Sequence, residues 1–144
     1  MTRSAWIATE AIDLPAMLAS VNAPAHGAVA SFVGQVRDHD PEATGEVVAL
    51  RYSCHPDAQQ FIEQVLARTV AAHDPEGTTD VSATHRIGDL DVGDLALVVV
   101  VGSAHRDLAF TLCRAVVEAI KHELPVWKQQ FVADGTHAWS GLSC

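Results

Sequence analysis

Seven consecutive apolar residues, Leu95-Ala96-Leu97-Val98-Val99-Val100-Val101, constrain this chain more than any other stretch. An element with one wet face interleaves polar positions, so a block that is apolar at every position leaves no face for water. The block is far short of the roughly 18–20 residues of a membrane-spanning helix. Leu95–Gly102 is therefore expected to be a central strand, covered on both sides. A chain of 144 residues, 49% of them hydrophobic, has enough material for those covering layers in one unit spanning 1–144.

The flanking segments supply the rest of the architecture. Trp6–Thr9 reads as a first strand, and Asp13-Leu14-Pro15 as a helix start with Asp13 as N-cap. Gly27–Arg37 alternates, with Ala28, Ala30, Phe32 and Val36 on one face and Val29, Val33, Gln35 and Arg37 on the other. The turn-rich loop Asp38–Gly45 leads to a strand over Glu46–Ser53. Beyond Pro56, the residues Ala58, Phe61, Ile62, Val65, Leu66, Thr69 and Val70 mark the buried stripe of an amphipathic helix. Thr79–His85 is a further strand, and Ile87–Asp94 holds two Gly/Asp turns around a short apolar segment.

A second long helix starts after Ser103 or Ala104, runs to about Glu123 and is stopped by Pro125. Its core stripe is expected to be Leu108, Leu112, Ala115, Val116, Ala119 and Ile120. Phe110, Arg114, Val117 and Lys121 form a second column on the opposite side, and Cys113 lies at the margin. Val126–Val132 is a last strand, with Val126, Lys128, Gln130 and Val132 sharing one face. The tail through Thr136 and His137 turns and docks by Trp139. This order predicts an α+β domain with a largely antiparallel sheet and two long amphipathic helices.

Charge and cysteine usage narrow the function. A formal net charge of −9 argues against nucleic acid as a partner. The N-terminal residues lack the apolar centre of a signal peptide, which points to the cytoplasm. Three cysteines without CxxC spacing favour neither a disulfide framework nor structural zinc.

The chain has only two lysines, Lys121 and Lys128, at the two ends of Lys121-His122-Glu123-Leu124-Pro125-Val126-Trp127-Lys128. Lysine, unlike arginine, can be made to release its proton by its surroundings, so it can move protons or attack a carbonyl. Pro125 prevents the two from sharing a helix. One ends the helix and the other points from the strand, so both ammonium groups can converge across the corner. Arg37, at the end of a strand beside the polar loop, and His105-Arg106, in the first turn of the long helix, offer anion contacts. Asp38-His39-Asp40 invites a metal, but adjacent loop residues rarely converge on one ion, and none is expected.

Ser31-Phe32-Val33-Gly34-Gln35-Val36-Arg37-Asp38-His39, His85-Arg86-Ile87-Gly88 with Leu90 and Val92-Gly93, His105-Arg106 with Ala109-Phe110, and Lys121 through Pro125-Val126-Trp127-Lys128 together resemble the catalytic, large subunit of molybdopterin synthase. The likeness runs from about Gly27 to Trp139 with the motifs in the family's order. It implies an α/β-hammerhead-type fold and a homodimer that forms a heterotetramer with a ubiquitin-like small subunit. That partner carries a C-terminal Gly-Gly thiocarboxylate, whose sulfur converts cyclic pyranopterin monophosphate to the dithiolene of molybdopterin.

By the same resemblance Lys121 and Lys128 are the catalytic pair. Lys121 is the expected acid/base or acyl acceptor, and Lys128 its electrostatic and proton-relay partner. Gln35, Arg37, His105, Arg106 and Gln130 join them in binding substrate, some across the dimer interface, while Phe32 and Val117 line the pocket. No metal or other cofactor and no membrane are implied. One departure stands out: an arginine often found near the C-terminal tryptophan is absent, with Thr136-His137-Ala138 before Trp139. A module that merely docks a ubiquitin-like protein is the alternative, and Lys121→Ala separates it from an enzyme.

Overall fold

A computed structural model describes residues 1–43, 45–135 and 137–140. Eleven elements follow in order among these residues: β1 (Arg3–Ala8), α1 (Leu14–Ser20), β2 (Ala28–Gln35), β3 (Val47–Cys54), α2 (Ala58–His73), β4 (Asp80–Arg86), β5 (Gly88–Asp91), β6 (Leu95–Ser103), α3 (Arg106–Glu123), β7 (Val126–Val132) and β8 (His137–Ser140). They form not one sheet but two four-stranded sheets, ordered β1-β4-β6-β2 and β5-β3-β7-β8. Only β1 and β4 pair in parallel; every other pairing is antiparallel. The α+β class holds, and the second sheet arises because β3 leaves β2 through the long loop and pairs with β7 instead.

The seven-residue apolar block forms most of β6, an interior strand between β4 and β2 whose residues from Ala96 to Ser103 are all buried. One face of β6 contributes Val98 and Val100 to a small cluster with Met17 and Val21 of the α1 region. The other contributes Leu97, Val99 and Val101 to a main core shared with α2, α3 and both sheets. Helix α1 begins as its sequence dictates: the Asp13 carboxylate accepts the Ala16 N–H at 3.0 Å, with proline in the first turn.

Several elements differ from the pattern reading. Segment 88–91 is a short strand, because its Leu90 side chain enters the core and its backbone pairs with Ala49–Tyr52. On α2, Ala58, Ile62, Val65, Leu66, Thr69 and Val70 are buried as expected, and Thr69 satisfies its hydroxyl on the Val65 carbonyl at 2.7 Å. Phe61 is instead 41% exposed, flanking the line that α3 and β1 cover and packing edge-on against His55. On α3 the buried set is Ala109, Leu112, Cys113, Val116, Val117 and Ile120, rotated from the expected stripe toward Val117 and Cys113. The rotation follows from contact on two sides, since α3 packs against α2 as well as against β2 and β6. Trp139 sits on β8 and is 59% exposed, so the tail pairs as a strand rather than docking through its ring. Thr136, named in the tail, lies outside the described residues.

Candidate active site

The corner at Pro125 is built as its residues require. Helix α3 ends at Glu123, Leu124 is already extended (φ −71°, ψ 124°), and β7 starts at Val126. Lys121 thus stands in the last turn of α3. Lys128 points inward from β7 along with Val126, Gln130 and Val132, all four buried. Both lysines line one cavity of about 250 Å³ where the two sheets meet. Sheet one supplies Gly34–Arg37 from β2 and its continuation, His85 from β4, and Ala96 and Leu97 from β6. Sheet two supplies Leu50, Tyr52, Lys128 and Gln130 from β3 and β7.

Four consecutive residues, Gly34 to Arg37, line the cavity. A regular strand would turn every second one away. Gln35 and Arg37 share one face by alternation, and the register shift between Gly34 and Gln35 in the pairing of β2 with β6 bends the strand end so that Gly34 and Val36 line the cavity beside them. Backbone bonds from Val36 to Asp94 and from Gly93 to Val36 fix the bend.

Lys128 is not alone in its burial. Its Nζ donates to Asp40 Oδ2 at 3.0 Å, with side-chain exposures of 8% and 12% for the two groups. The other Asp40 oxygen, Oδ1, accepts the Glu42 N–H at 2.8 Å. Burial raises the Asp40 carboxyl, but the Glu42 amide and the Lys128 ammonium outweigh it and hold the pKa below its ordinary value. Gln130 lies close enough to help lower it. Its Nε2 nevertheless has no partner at hydrogen-bonding distance, a buried donor left open beside the cavity.

On the facing wall, His85 is 4% exposed and edge-on to Tyr52, with centroids 4.9 Å apart. Burial pushes its pKa down to about 4, the Arg86 carbonyl opposes that, and the nearby Lys121 charge lowers it further. At neutral pH the imidazole is uncharged. Its Nδ1–H donates to the Arg86 carbonyl at 2.8 Å, which leaves Nε2 as the acceptor nitrogen.

Of the residues singled out in the sequence, the cavity gathers Gln35, Arg37, Lys121, Lys128 and Gln130. It does not gather the others. His105 is the N-cap of α3 and Arg106 its first residue, both exposed. Fifteen residues separate Arg106 from Lys121 along one helix, roughly 22 Å at 1.5 Å per residue, beyond the reach of either side chain. Phe32 and Val117 line a separate groove of about 230 Å³ beside α3, with Phe110, Cys113 and Arg114. They are displaced from the cavity because β2 turns Phe32 toward the helix and, by alternation, Gln35 the other way.

Asp40, His85, Tyr52 and His39 line the cavity without having been singled out as binding residues. In the sequence Asp40 suggests only a metal ligand; the signal for its place in the cavity is its position in the loop after Arg37, opposite a buried-face lysine. Among the described residues no group of three or more His, Cys, Asp or Glu side chains is placed to hold a metal ion.

Comparison with known proteins gives this geometry its context. The family model described as MoaE protein matches residues 7–123. Molybdopterin synthase catalytic subunit 1 of Mycobacterium tuberculosis is 33% identical over 130 residues, which cover 90% of this chain and 85% of that protein. Molybdopterin synthase from Staphylococcus aureus superposes with a TM-score of 0.81 at 28% identity, over 94% of this chain and 96% of that one. A complex of subunits 1 and 2 of molybdopterin-converting factor from Helicobacter pylori shares the fold, with a TM-score of 0.73 at 21% identity over 94% and 89% of the two chains. A match along residues 7–123, joined to a catalytic-subunit relative one third identical, means that the chain belongs to the MoaE protein family, the catalytic subunits of molybdopterin synthase.

Proposed function

We propose that this chain performs the sulfur transfer of molybdopterin synthesis, converting cyclic pyranopterin monophosphate to the dithiolene with sulfur from the C-terminal thiocarboxylate of a ubiquitin-like small subunit. The observation that carries the reading is the cavity between the sheets. In a chain of net charge −9 it collects Arg37 and both lysines on one small volume. An anionic pterin phosphate requires fixed cations, and attack on or by an acyl thiocarboxylate requires proton transfer and oxyanion stabilisation; two ammonium groups supply both. In this reading Lys121 is the acid/base or acyl acceptor and Lys128 the standing charge. The orphaned Gln130 amide, with Gln35, donates to substrate oxygens. The chemistry calls for no resident metal, and the site is cytoplasmic.

The reading also gives the distant His105 and Arg106 a role. Exposed at the far end of α3, they are suited to complete the cavity of a second copy, in a homodimer that carries one small subunit per chain. Phe32 and Val117, in the groove beside exposed Phe110, then receive apolar parts of the partner's C-terminal segment. The test is reconstitution with thiocarboxylated small subunit and the cyclic pterin. Lys121→Ala is expected to lower dithiolene formation at least a hundredfold while leaving small-subunit binding within about threefold. Full turnover by this variant would sink the assignment. Loss of binding with no turnover in the wild type would favour a docking module.

A further inference from the structure

Asp40 is the one carboxylate among the described residues that line the cavity, against three basic side chains, Arg37, Lys121 and Lys128. A site built to bind an anion gains nothing from a carboxylate of its own unless that carboxylate has another task. Its geometry shows the task. One oxygen is held by the Glu42 N–H at 2.8 Å and the other by Lys128 Nζ at 3.0 Å, so neither can rotate without losing a bond. The loop that carries it is pinned at both ends. The Ala43 N–H donates to the Asp40 carbonyl at 3.1 Å, and the Val47 N–H donates to the Asp38 carbonyl at 2.7 Å.

Lysine is a point charge on a flexible four-carbon stem, and without such a partner its ammonium would range over several positions. We propose that Asp40 is a positioning residue: its carboxylate holds Lys128 as an immobile ammonium across the cavity from Lys121, confining Lys128 to an electrostatic role in the reaction. A carboxylate fixed by backbone can do this only at one distance and direction, which is why the turn at Asp40–Ala43 is part of the device. The other titratable side chains that line the cavity with Lys128 are Arg37, Lys121, His39 from the loop, Tyr52 from β3 and His85 from β4, and none of them is a carboxylate.

The inference rests on the sulfur-transfer reading for its kinetic arm but not for its structural one. Because the chain has only two lysines, the side-chain ammonium groups give at most two NMR signals, assigned by Lys128→Arg. In the wild type the Lys128 ammonium protons are expected to exchange with water at least tenfold more slowly than in Asp40→Asn. In the reconstituted enzyme, Asp40→Asn is expected to lower kcat at least tenfold while KM for the anionic pterin stays the same or falls, since a negative charge has left the cavity. A merely structural lesion would raise KM and lower Tm together. Asp40→Glu should recover part of kcat. Asp40→Ser, which can still accept the Glu42 N–H, replaces Asn if that variant does not fold. Unchanged ammonium exchange, or kcat and KM equal to wild type, overturns the proposal. A wild type that makes no dithiolene but shows the Asp40-dependent exchange would instead count against the functional reading and leave this inference standing.

Discussion

His85 is a histidine that cannot behave like one at neutral pH. Its pKa is held near 4, first by burial and then by the neighbouring Lys121 charge, against 6.5 for the unfolded residue. Between these values the unfolded chain binds the proton and the folded chain refuses it, so stability falls as pH drops from about 6.5 toward 4 and is fully present above that window. A gap of this size corresponds to roughly 3 kcal/mol. Asp74 cannot account for such a loss. Burial raises its carboxyl, but four hydrogen bonds from Thr78 and Thr79 prevail and bring it to about 2. Its contribution is therefore intact above its ordinary value near 4 and is lost only below. Urea unfolding at pH 7 and pH 4.5 should show a decline of about 2–3 kcal/mol in the wild type and a much smaller one in His85→Gln. Equal declines in the two proteins would remove His85 as the cause. None of this was legible in the chain, because a strand-end histidine reads the same whether it points to water or to a cavity floor. Lys128 was legible in part: alternation assigned it to the face of Val126 and Val132, but not to Asp40, which lies 88 positions away.

Elements were more legible than residues wherever periodicity or punctuation was strong. Asp13-Leu14-Pro15, the uninterrupted apolar run of β6 and the Pro125 corner each specify one local geometry, and each is found. Periodicity misled on α3, where contact on two sides turned Val117 inward, and at 88–91, where four residues are too few to show a period. Beyond its place in the central strand nothing in the sequence marks Gly102, yet it lies where α1 meets the sheet. A β-carbon there would lie 2.2 Å from the Val21 carbonyl oxygen and 2.8 Å from His26 Cδ2. The first obstacle is backbone and cannot rotate away. Gly102→Ala is thus expected to cost about 2–3 kcal/mol by forcing the end of α1 off β6. Leu97, the cavity-lining residue of the same strand, is five positions and roughly 16 Å away. The variant should therefore melt several degrees lower in a thermal scan while each folded molecule keeps its turnover. An unchanged Tm would show that α1 packs more loosely than the geometry requires.

At the scale of the molecule, the site exists because two sheets meet, and sheet pairing is what the sequence hides best. Strand order depends on partners far apart in the chain: β3 pairs with β7 rather than β2, and β4 with β1 across 78 positions. Periodicity marks six of the eight strands, all but β5 and β8, and says nothing of that choice. The consequence is a cationic cavity between layers in a protein whose net charge is −9. Like charges gathered there repel in the empty protein, so a bound anion removes a destabilising term as well as adding contacts. Any ligand that binds the folded chain alone raises its stability by mass action, about 2.7 kcal/mol at a hundred times Kd. Inorganic pyrophosphate is a suitable probe of this property, since it carries phosphate charge without the pterin. Compared with sodium chloride at equal ionic strength, it should raise Tm by a few degrees in the wild type. The rise should vanish in the double variant Lys121→Met, Lys128→Met, which keeps the apolar stems and removes both charges. The double variant His105→Ala, Arg106→Ala carries the complementary test. If those two residues enter the cavity of a second copy, as the dimeric reading holds, the rise will shrink at protein concentrations where the dimer is populated and not below them. A rise that survives loss of both lysines would place the anion elsewhere on the molecule and remove the electrostatic basis of the proposed chemistry.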